Sequence, residues 1–182
     1  MTPRKFNMIA MVLILGMADS SFIKAQSTNE PEQDCGQGTF RFFGWSIYQA
    51  KLTSPHCPVQ ASQRFTLRIH YFIPISQAHL IATTDQELNR MHGSWPQKTL
   101  QGWNKEMEQA FRSVHSGDTI TGIYLPGVEA QFYLNNTPTT EIHDAEFAQW
   151  FFQIWLGPKA HDSKLRDQLN QGIIWNPIKI GV

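Results

Sequence analysis

The segment at residues 145–156 restricts the possible fold more than any other, because it is short and apolar on almost every side. It reads AEFAQWFFQIWL. On a helix Phe147, Phe151 and Trp155 share one face, and Phe152 widens that face until little polar surface remains. A helix of this kind must be buried, and it is too short to cross a bilayer. We therefore predict a core helix on a sheet, whose aromatic side chains can also line a cleft.

The sequence marks both ends of this helix. Asp144 precedes the segment, and aspartate is a preferred N-cap residue. Gly157 follows it, at the point where a left-handed residue commonly ends a helix, and Pro158 cannot continue the helix. We predict a three-turn helix with Asp144 as its N-cap and Gly157 in the left-handed conformation.

Two segments in the first half of the chain predict strands. Residues 64–73 alternate, which places the apolar residues from Phe65 to Ile73 on one face and the polar residues between them on the other. Residues 39–52 are aromatic and β-branched with Gly44 inside. A glycine within a strand often marks a bulge, so we predict one strand bent or bulged at Gly44.

Two helical segments follow these strands. Residues 76–91 are predicted to form a helix with a break, because Thr84 and Glu87 have the spacing of a capping box that would restart it. Residues 100–114 carry apolar side chains at three- and four-residue spacings, which gives a single apolar stripe. We predict that this stripe packs on the core.

Three short segments in the second half also predict strands, at residues 119–125, 128–134 and 139–142. The Pro-Gly pair at 126–127 and the Asn-Asn pair at 135–136 separate them, and both pairs are turn signals for antiparallel pairing. A chain of 182 residues with 41% hydrophobic content suits one domain. We predict an α+β domain with an antiparallel sheet.

The N-terminus has the layout of a secretory signal peptide, which we assign to residues 1–25. Arg4 and Lys5 precede an apolar run that ends at Met17, and small residues follow. This run is too short to remain as a membrane-spanning helix. We therefore expect an exported protein, periplasmic or secreted, without a permanent membrane anchor.

The mature chain is expected to start after Ala25, with cleavage after Ala18 as the alternative. Residues 26–38 are rich in Ser, Asn, Glu, Gln and Gly, a composition typical of a solvated flexible linker. The folded domain is then expected to occupy residues 39–182.

Export changes the interpretation of the two cysteines, Cys35 and Cys57. In an oxidising compartment they can form a disulfide, whereas two buried thiols are the usual state in the cytosol. They flank the predicted strand at 39–52, so they can meet only if the intervening chain turns back. The sequence alone leaves both states open.

Charge and ligand spacing exclude several classes of function. The formal net charge is zero, and the Lys and Arg residues are scattered, so we expect no nucleic-acid partner. The sequence has no second Cys-x-x-Cys or His-x-x-x-His element to complete four metal ligands. We therefore expect neither a metal nor another cofactor. The oligomeric state stays open.

Several motifs together resemble the exported bacterial chalcone isomerase-like proteins. They are SGDTITGIYLPG at 116–127, FYLNN at 132–136 and, as the most specific, FFQIWLGPKAHDSKLRDQL at 151–169. The resemblance covers nearly the whole mature chain, from about residue 38 to residue 169. It implies an open-faced β-sandwich, in which helices lie on one face of a large antiparallel sheet and a cleft lies between the two layers.

The residues that carry chalcone isomerase catalysis do not recur in this chain. The family's threonine, tyrosine and late hydroxyl positions fall on Phe43, Leu80 and Ile154, and its asparagine position falls near Glu87. No arginine occurs between residues 26 and 40. The ring closure needs an oriented phenolate and a polarised carbonyl, which apolar side chains do not supply. The resemblance thus implies the fold without the classical activity.

An apolar cleft favours binding of a small apolar or acyl ligand. Some plant members of the superfamily hold fatty acids through an arginine and a tyrosine, so the resemblance implies a carboxylate-bearing ligand held by such side chains. The predicted ligand-binding residues are Arg41, Phe43, Trp45, Arg68, Tyr71, Leu80 and Ile154. Two alternatives remain: an isomerase or intramolecular lyase that uses a different polar set in the same cleft, and a structural or interaction module.

Overall fold

The computed structural model describes residues 30–172 and 175–176. Within them, six antiparallel strands form one sheet, and each strand pairs with the next one along the chain. The elements in chain order are β1 (Gln33–Phe42), β2 (Trp45–Ser54), β3 (Phe65–Tyr71), α1 (Gln77–His92), α2 (Gln97–Ala110), β4 (Thr119–Leu125), β5 (Glu129–Leu134), β6 (Thr137–Ile142), α3 (Ala145–Leu156) and α4 (Ser163–Leu169). The predicted signal peptide lies outside the described residues.

The predicted α+β fold, with helices packed on an antiparallel sheet, is confirmed. The predicted alternation of β3 places Leu67 on the helix-covered face, where it pairs with Leu52 on one side and with Gly122 on the other. Gly122 pairs in turn with Phe132 of β5. Since opposed residues of neighbouring strands point to the same face, these four residues form one row across the sheet under the helices.

The aromatic helix is confirmed as α3, with the predicted N-cap. The Asp144 carboxylate accepts hydrogen bonds of 2.9 Å from the backbone N–H groups of Glu146 and Phe147. Gly157 ends the helix as predicted, but its φ is −76°, so the predicted left-handed conformation is wrong. Glycine is required there for space, because a Cβ atom would lie 2.8 Å from the carbonyl oxygen of Gln153. In the described part of the chain, no helix is long and apolar enough to cross a bilayer.

The predicted break in the first helix is wrong, because α1 is continuous. Its N-cap is Ser76, whose hydroxyl accepts a hydrogen bond from the backbone N–H of His79. Thr84 does not restart the helix, since its hydroxyl donates to the carbonyl oxygen of Leu80 one turn earlier. A threonine hydroxyl satisfied in this way is compatible with a helix interior.

The predicted single strand at 39–52 is also wrong, because the chain reverses direction within it. Phe43 and Gly44 have φ values of 47° and 85° and form the turn of a β1–β2 hairpin. A glycine that bends one strand and a glycine that completes a tight turn give the same local sequence signal. The pairing of Phe42 with Trp45 distinguishes the two.

The reversal extends the folded domain toward the N-terminus. β1 begins at Gln33, so residues 33–38 of the predicted flexible linker belong to the sheet. Their glycines are required by close packing, because a Cβ atom on Gly36 would lie 2.2 Å from the carbonyl oxygen of Gln168 in α4. Residues 33–38 therefore have a composition typical of a linker because their glycines allow β1 to pack closely on α4.

The hairpin also brings the two cysteines together. Cys35 in β1 and Cys57 after β2 form a disulfide, with their Cα atoms 5.3 Å apart. Cys35 is buried within the core cluster. Of the two states that the sequence left open, the structure contains the disulfide.

Gly36 in β1 and Gly102 in α2 allow a matched test of the packing between β1 and α4. We expect Gly36→Ala to lower the free energy of unfolding by about 1–3 kcal/mol, because backbone atoms of α4 leave no room for the methyl group. Gly102→Ala should raise it by about 0.5–1 kcal/mol, because Gly102 lies within α2 and no atom would contact the added Cβ within 4 Å. Urea denaturation of both variants measures the difference. Equal stabilities would contradict the packing described.

Candidate ligand-binding cavity

A cavity of about 840 Å³ lies between the helix-covered face of the sheet and the helices. Its volume falls within the range of small-molecule binding sites. α1 packs principally on α2 and α3, and this arrangement leaves open space above β2 and β3. The cavity thus exists because α1 rests principally on α2 and α3 rather than on the sheet.

The lining of the cavity is mostly apolar, and the strand register explains why. Leu67, Ile69 and Tyr71 share the covered face of β3, and Tyr48 on β2 pairs with Tyr71. α1 and α3 contribute further apolar side chains from the opposite side. They include Leu80 from α1 and Phe151, Phe152, Ile154 and Trp155 from α3.

Two tyrosines provide hydrogen-bonding groups within this apolar lining. The rings of Tyr48 and Tyr71 lie 6.0 Å apart between centroids. The indole N–H of Trp155 donates a 3.1 Å hydrogen bond to the Tyr48 hydroxyl. Burial raises the pKa of Tyr48 to about 12 and raises the pKa of Tyr71 strongly as well. Both phenols are therefore protonated at physiological pH and available as hydrogen-bond donors.

The rim of the cavity carries acidic groups. Asp162, which begins α4, accepts a 2.9 Å hydrogen bond from the backbone N–H of Leu165. Glu87 on α1 accepts hydrogen bonds from Arg90, and His161 lies 3.7 Å from its other carboxylate oxygen. The negative charges of Asp162 and Glu87 act with burial in raising the pKa of Tyr48.

The structure places three of the seven predicted ligand-binding residues in the cavity lining: Tyr71, Leu80 and Ile154. Arg41, Phe43 and Trp45 do not line it. Phe43 is 88% exposed and Trp45 is 77% exposed, because they lie at and beside the hairpin turn. Phe43 was assigned from the family's threonine position and Arg41 as a carboxylate anchor, and the assignment of these three residues to the cavity is corrected.

Arg68 also lies outside the cavity. It belongs to β3 one residue from Leu67, so alternation places its side chain on the opposite face of the sheet. There its guanidinium donates to the Thr53 hydroxyl at 3.2 Å, in a smaller groove that also contains Glu32. The predicted carboxylate anchor is therefore absent at both arginine positions.

The predicted ligand-binding set did not include Tyr48, Trp155 or Asp162, and Glu87 was named only near the family's asparagine position. Tyr48 on β2 pairs with Tyr71 of β3, and both line the cavity. Trp155 was assigned to the core, and its indole N–H has a buried partner only in the folded chain. The sequence signal for Tyr48 was the short run Ile47-Tyr48 in an aromatic strand, which does not specify a face.

Elsewhere, one group of side chains has the composition of a metal site. Ligand atoms of Glu129, Glu141 and His143 lie within 4.8 Å of one another. His143 directs Nδ1 at Glu129 and lies 3.7 Å from Glu141 through Nε2, while Gln131 donates to Glu129 at 2.7 Å. These ion pairs and hydrogen bonds account for the arrangement, since both imidazole nitrogens already face a carboxylate.

The fold and the motifs agree with comparisons to known proteins. A sequence profile described as chalcone isomerase-like matches residues 39–169. The chain belongs to the chalcone isomerase-like family. An uncharacterized protein of Haemophilus influenzae is 29% identical over 138 residues, which are 75% of this chain and 67% of that protein.

A solved structure supports the same fold for this chalcone isomerase-like protein. The crystal structure of an Arabidopsis thaliana fatty-acid binding protein superposes with a TM-score of 0.58, covering 76% of this chain and 86% of that one. The two sequences are 11% identical, so the similarity concerns the fold alone.

Substitution of Phe151 tests whether a side chain in the cavity wall also contributes to the stability of the core. Its ring is 6% exposed and lies 5.2 Å from that of Phe132 between centroids. We expect Phe151→Ala to reduce the free energy of unfolding by about 3–5 kcal/mol, the usual range for emptying a packed aromatic site. Phe43→Ala is the control and should change it by less than about 0.5 kcal/mol. A stable Phe151→Ala protein would show that this ring is not part of the core.

Proposed function

We propose that this chalcone isomerase-like protein binds a small apolar ligand with an acyl chain in the cavity, without classical chalcone isomerase catalysis. The observation that carries the proposal is the apolar lining that Leu67, Ile69, Leu80 and Ile154 give to a cavity of about 840 Å³. Family membership and the shared fold of a fatty-acid binding protein support a binding role.

Burial of an acyl chain supplies the affinity in this proposal. Each buried methylene contributes about 0.8 kcal/mol, so a chain of about twelve contributes about 10 kcal/mol before association costs. Those costs reduce the net free energy of binding substantially. With association costs of about 4 kcal/mol, about −6 kcal/mol remains, which corresponds to a Kd of roughly tens of micromolar.

The arrangement of the cavity disfavours chalcone cyclisation. Leu80 and Ile154 occupy cavity positions where the family's catalytic residues carry polar groups, and Phe43 lies outside the cavity. The buried phenols of Tyr48 and Tyr71 have raised pKa values and are poor general bases near neutral pH. Nothing in this set orients a phenolate for attack.

We also propose that the protein is exported. The layout of residues 1–25 is that of a signal peptide, and the Cys35–Cys57 disulfide is typical of an oxidising compartment. N-terminal sequencing of the protein from fractionated cells should begin near Gln26. An intact N-terminus in the cytoplasmic fraction would contradict this proposal.

A blocking substitution tests the cavity as the binding site. A fluorescent probe with an acyl chain and an uncharged head group, titrated into the wild type, should bind saturably. Leu80→Trp should weaken its binding at least tenfold, because the indole occupies cavity space. Ala82→Trp is the matched control, since Ala82 is exposed on the same helix and does not line the cavity. Equal loss in both variants, or no binding to the wild type, would contradict the proposal.

The absence of catalysis is tested separately. Purified protein incubated with a chalcone should show no cyclisation above the uncatalysed rate, followed by absorbance. Clear turnover that Leu80→Trp abolishes and Ala82→Trp retains would instead establish the alternative, an isomerase that uses a different polar set in this cavity.

A further inference from the structure

The cavity contains hydrogen-bond donors, and its described lining includes neither lysine nor arginine. Its two histidines are His79 and His161, and His161 lies 3.7 Å from the Glu87 carboxylate. Glu87 and Asp162 contribute carboxylates. A free fatty acid is an anion at neutral pH and would need a cation or several donors to replace its hydration. This imbalance of charge raises the question of which head group the cavity accepts.

The hydroxyl of Tyr71 is the first donor. Its side chain lines the cavity, and its hydroxyl is not one of the fully buried atoms that lack a partner in the described chain. A phenol hydroxyl carries one proton that it can donate. A ligand oxygen that accepts a hydrogen bond would satisfy this group.

The hydroxyl of Tyr48 is the second donor. It accepts from the Trp155 indole, which can only donate, so the hydroxyl's own proton is left for another acceptor. Phe40 stacks on the Tyr48 ring at 5.1 Å between centroids, and the Tyr71 ring contacts the Tyr48 ring edge-on at 6.0 Å. The two phenols are thus held side by side in a fixed orientation.

The electrostatic field at this position disfavours an anion. Burial is the main cause that raises the pKa of Tyr48, the hydrogen bond from Trp155 lowers it, and the charges of Asp162 and Glu87 raise it. These two carboxylates therefore oppose negative charge on the phenol oxygen. A carboxylate bound beside Tyr48 would experience the same repulsion. An uncharged oxygen acceptor would not.

We propose that the cavity selects uncharged acyl-chain ligands, whose ester, ketone or alcohol oxygen accepts hydrogen bonds from Tyr71 and Tyr48, and discriminates against the free carboxylate. This inference rests on the proposed function and specifies the head group of its ligand. It assigns the head-group site to the Tyr48–Tyr71 pair and the charge discrimination to Asp162.

Matched ligands of one chain length test the selection. Methyl dodecanoate and dodecanoate, each below its aggregation limit, are titrated at neutral pH by displacement of a bound fluorescent probe. The ester should bind at least tenfold more tightly than the acid. Equal affinities, or tighter binding of the acid, would overturn the head-group inference and leave the proposed acyl-chain binding intact. Binding of neither ligand would overturn both.

Variants then assign the roles of the side chains. Tyr71→Phe and Tyr48→Phe should each weaken ester binding about threefold to tenfold, the range for loss of a neutral hydrogen bond. Tyr124→Phe is the matched control, because it removes a tyrosine hydroxyl that is buried without a partner in the described chain and does not line the cavity. Unchanged ester affinity in both cavity variants would overturn the assignment.

A charge variant provides a readout that a purely structural role would not produce. Asp162→Asn keeps a residue able to cap α4 but removes the negative charge. Affinity for dodecanoate should rise at least threefold, while affinity for methyl dodecanoate should stay within twofold of the wild type. A parallel change for both ligands would contradict charge discrimination by Asp162.

Discussion

The packing of α3 on the sheet at Gly122 is the contact on which the core and the cavity both depend. A Cβ atom on Gly122 would lie 3.1 Å from the ring of Phe152, so the absence of a side chain lets the helix approach β4 closely. Phe152 is fully buried there, with edge-to-face contacts to Phe65 and Tyr124. These contacts hold the helix on the sheet, and its next turn then presents Trp155 to the cavity.

The cavity follows from this arrangement together with the support of α1. Because α1 packs principally on α2 and α3, it stands above β2 and β3 without filling the space between them. A well-packed interior normally has few voids larger than a water molecule, so a cavity of about 840 Å³ is a feature that the fold maintains. The three helices hold it open while the sheet provides its apolar floor.

Periodic elements were predictable from the sequence because their signals are local. The alternation of β3, the length of α3 and its Asp144 cap each depend on residues within one element. The β1–β2 reversal was not predictable in this way, since a glycine bend and a hairpin turn look alike until the strand pairing is known. The hairpin turn places Phe43 and Trp45 outside the cavity to which they were assigned, whereas Tyr48, which was not assigned to it, lines the cavity.

The proposed binding of an apolar acyl compound in the cavity is tested most directly by identifying the ligand that the native protein carries. Protein isolated from the producing cells would be denatured, extracted with organic solvent and analysed by mass spectrometry, with Leu80→Trp protein as the reference. We expect the wild-type extract to be enriched in acyl compounds with uncharged head groups and the Leu80→Trp extract to be depleted of them. Extracts that do not differ between the two proteins, or a polar ligand without an acyl chain, would contradict the proposed binding.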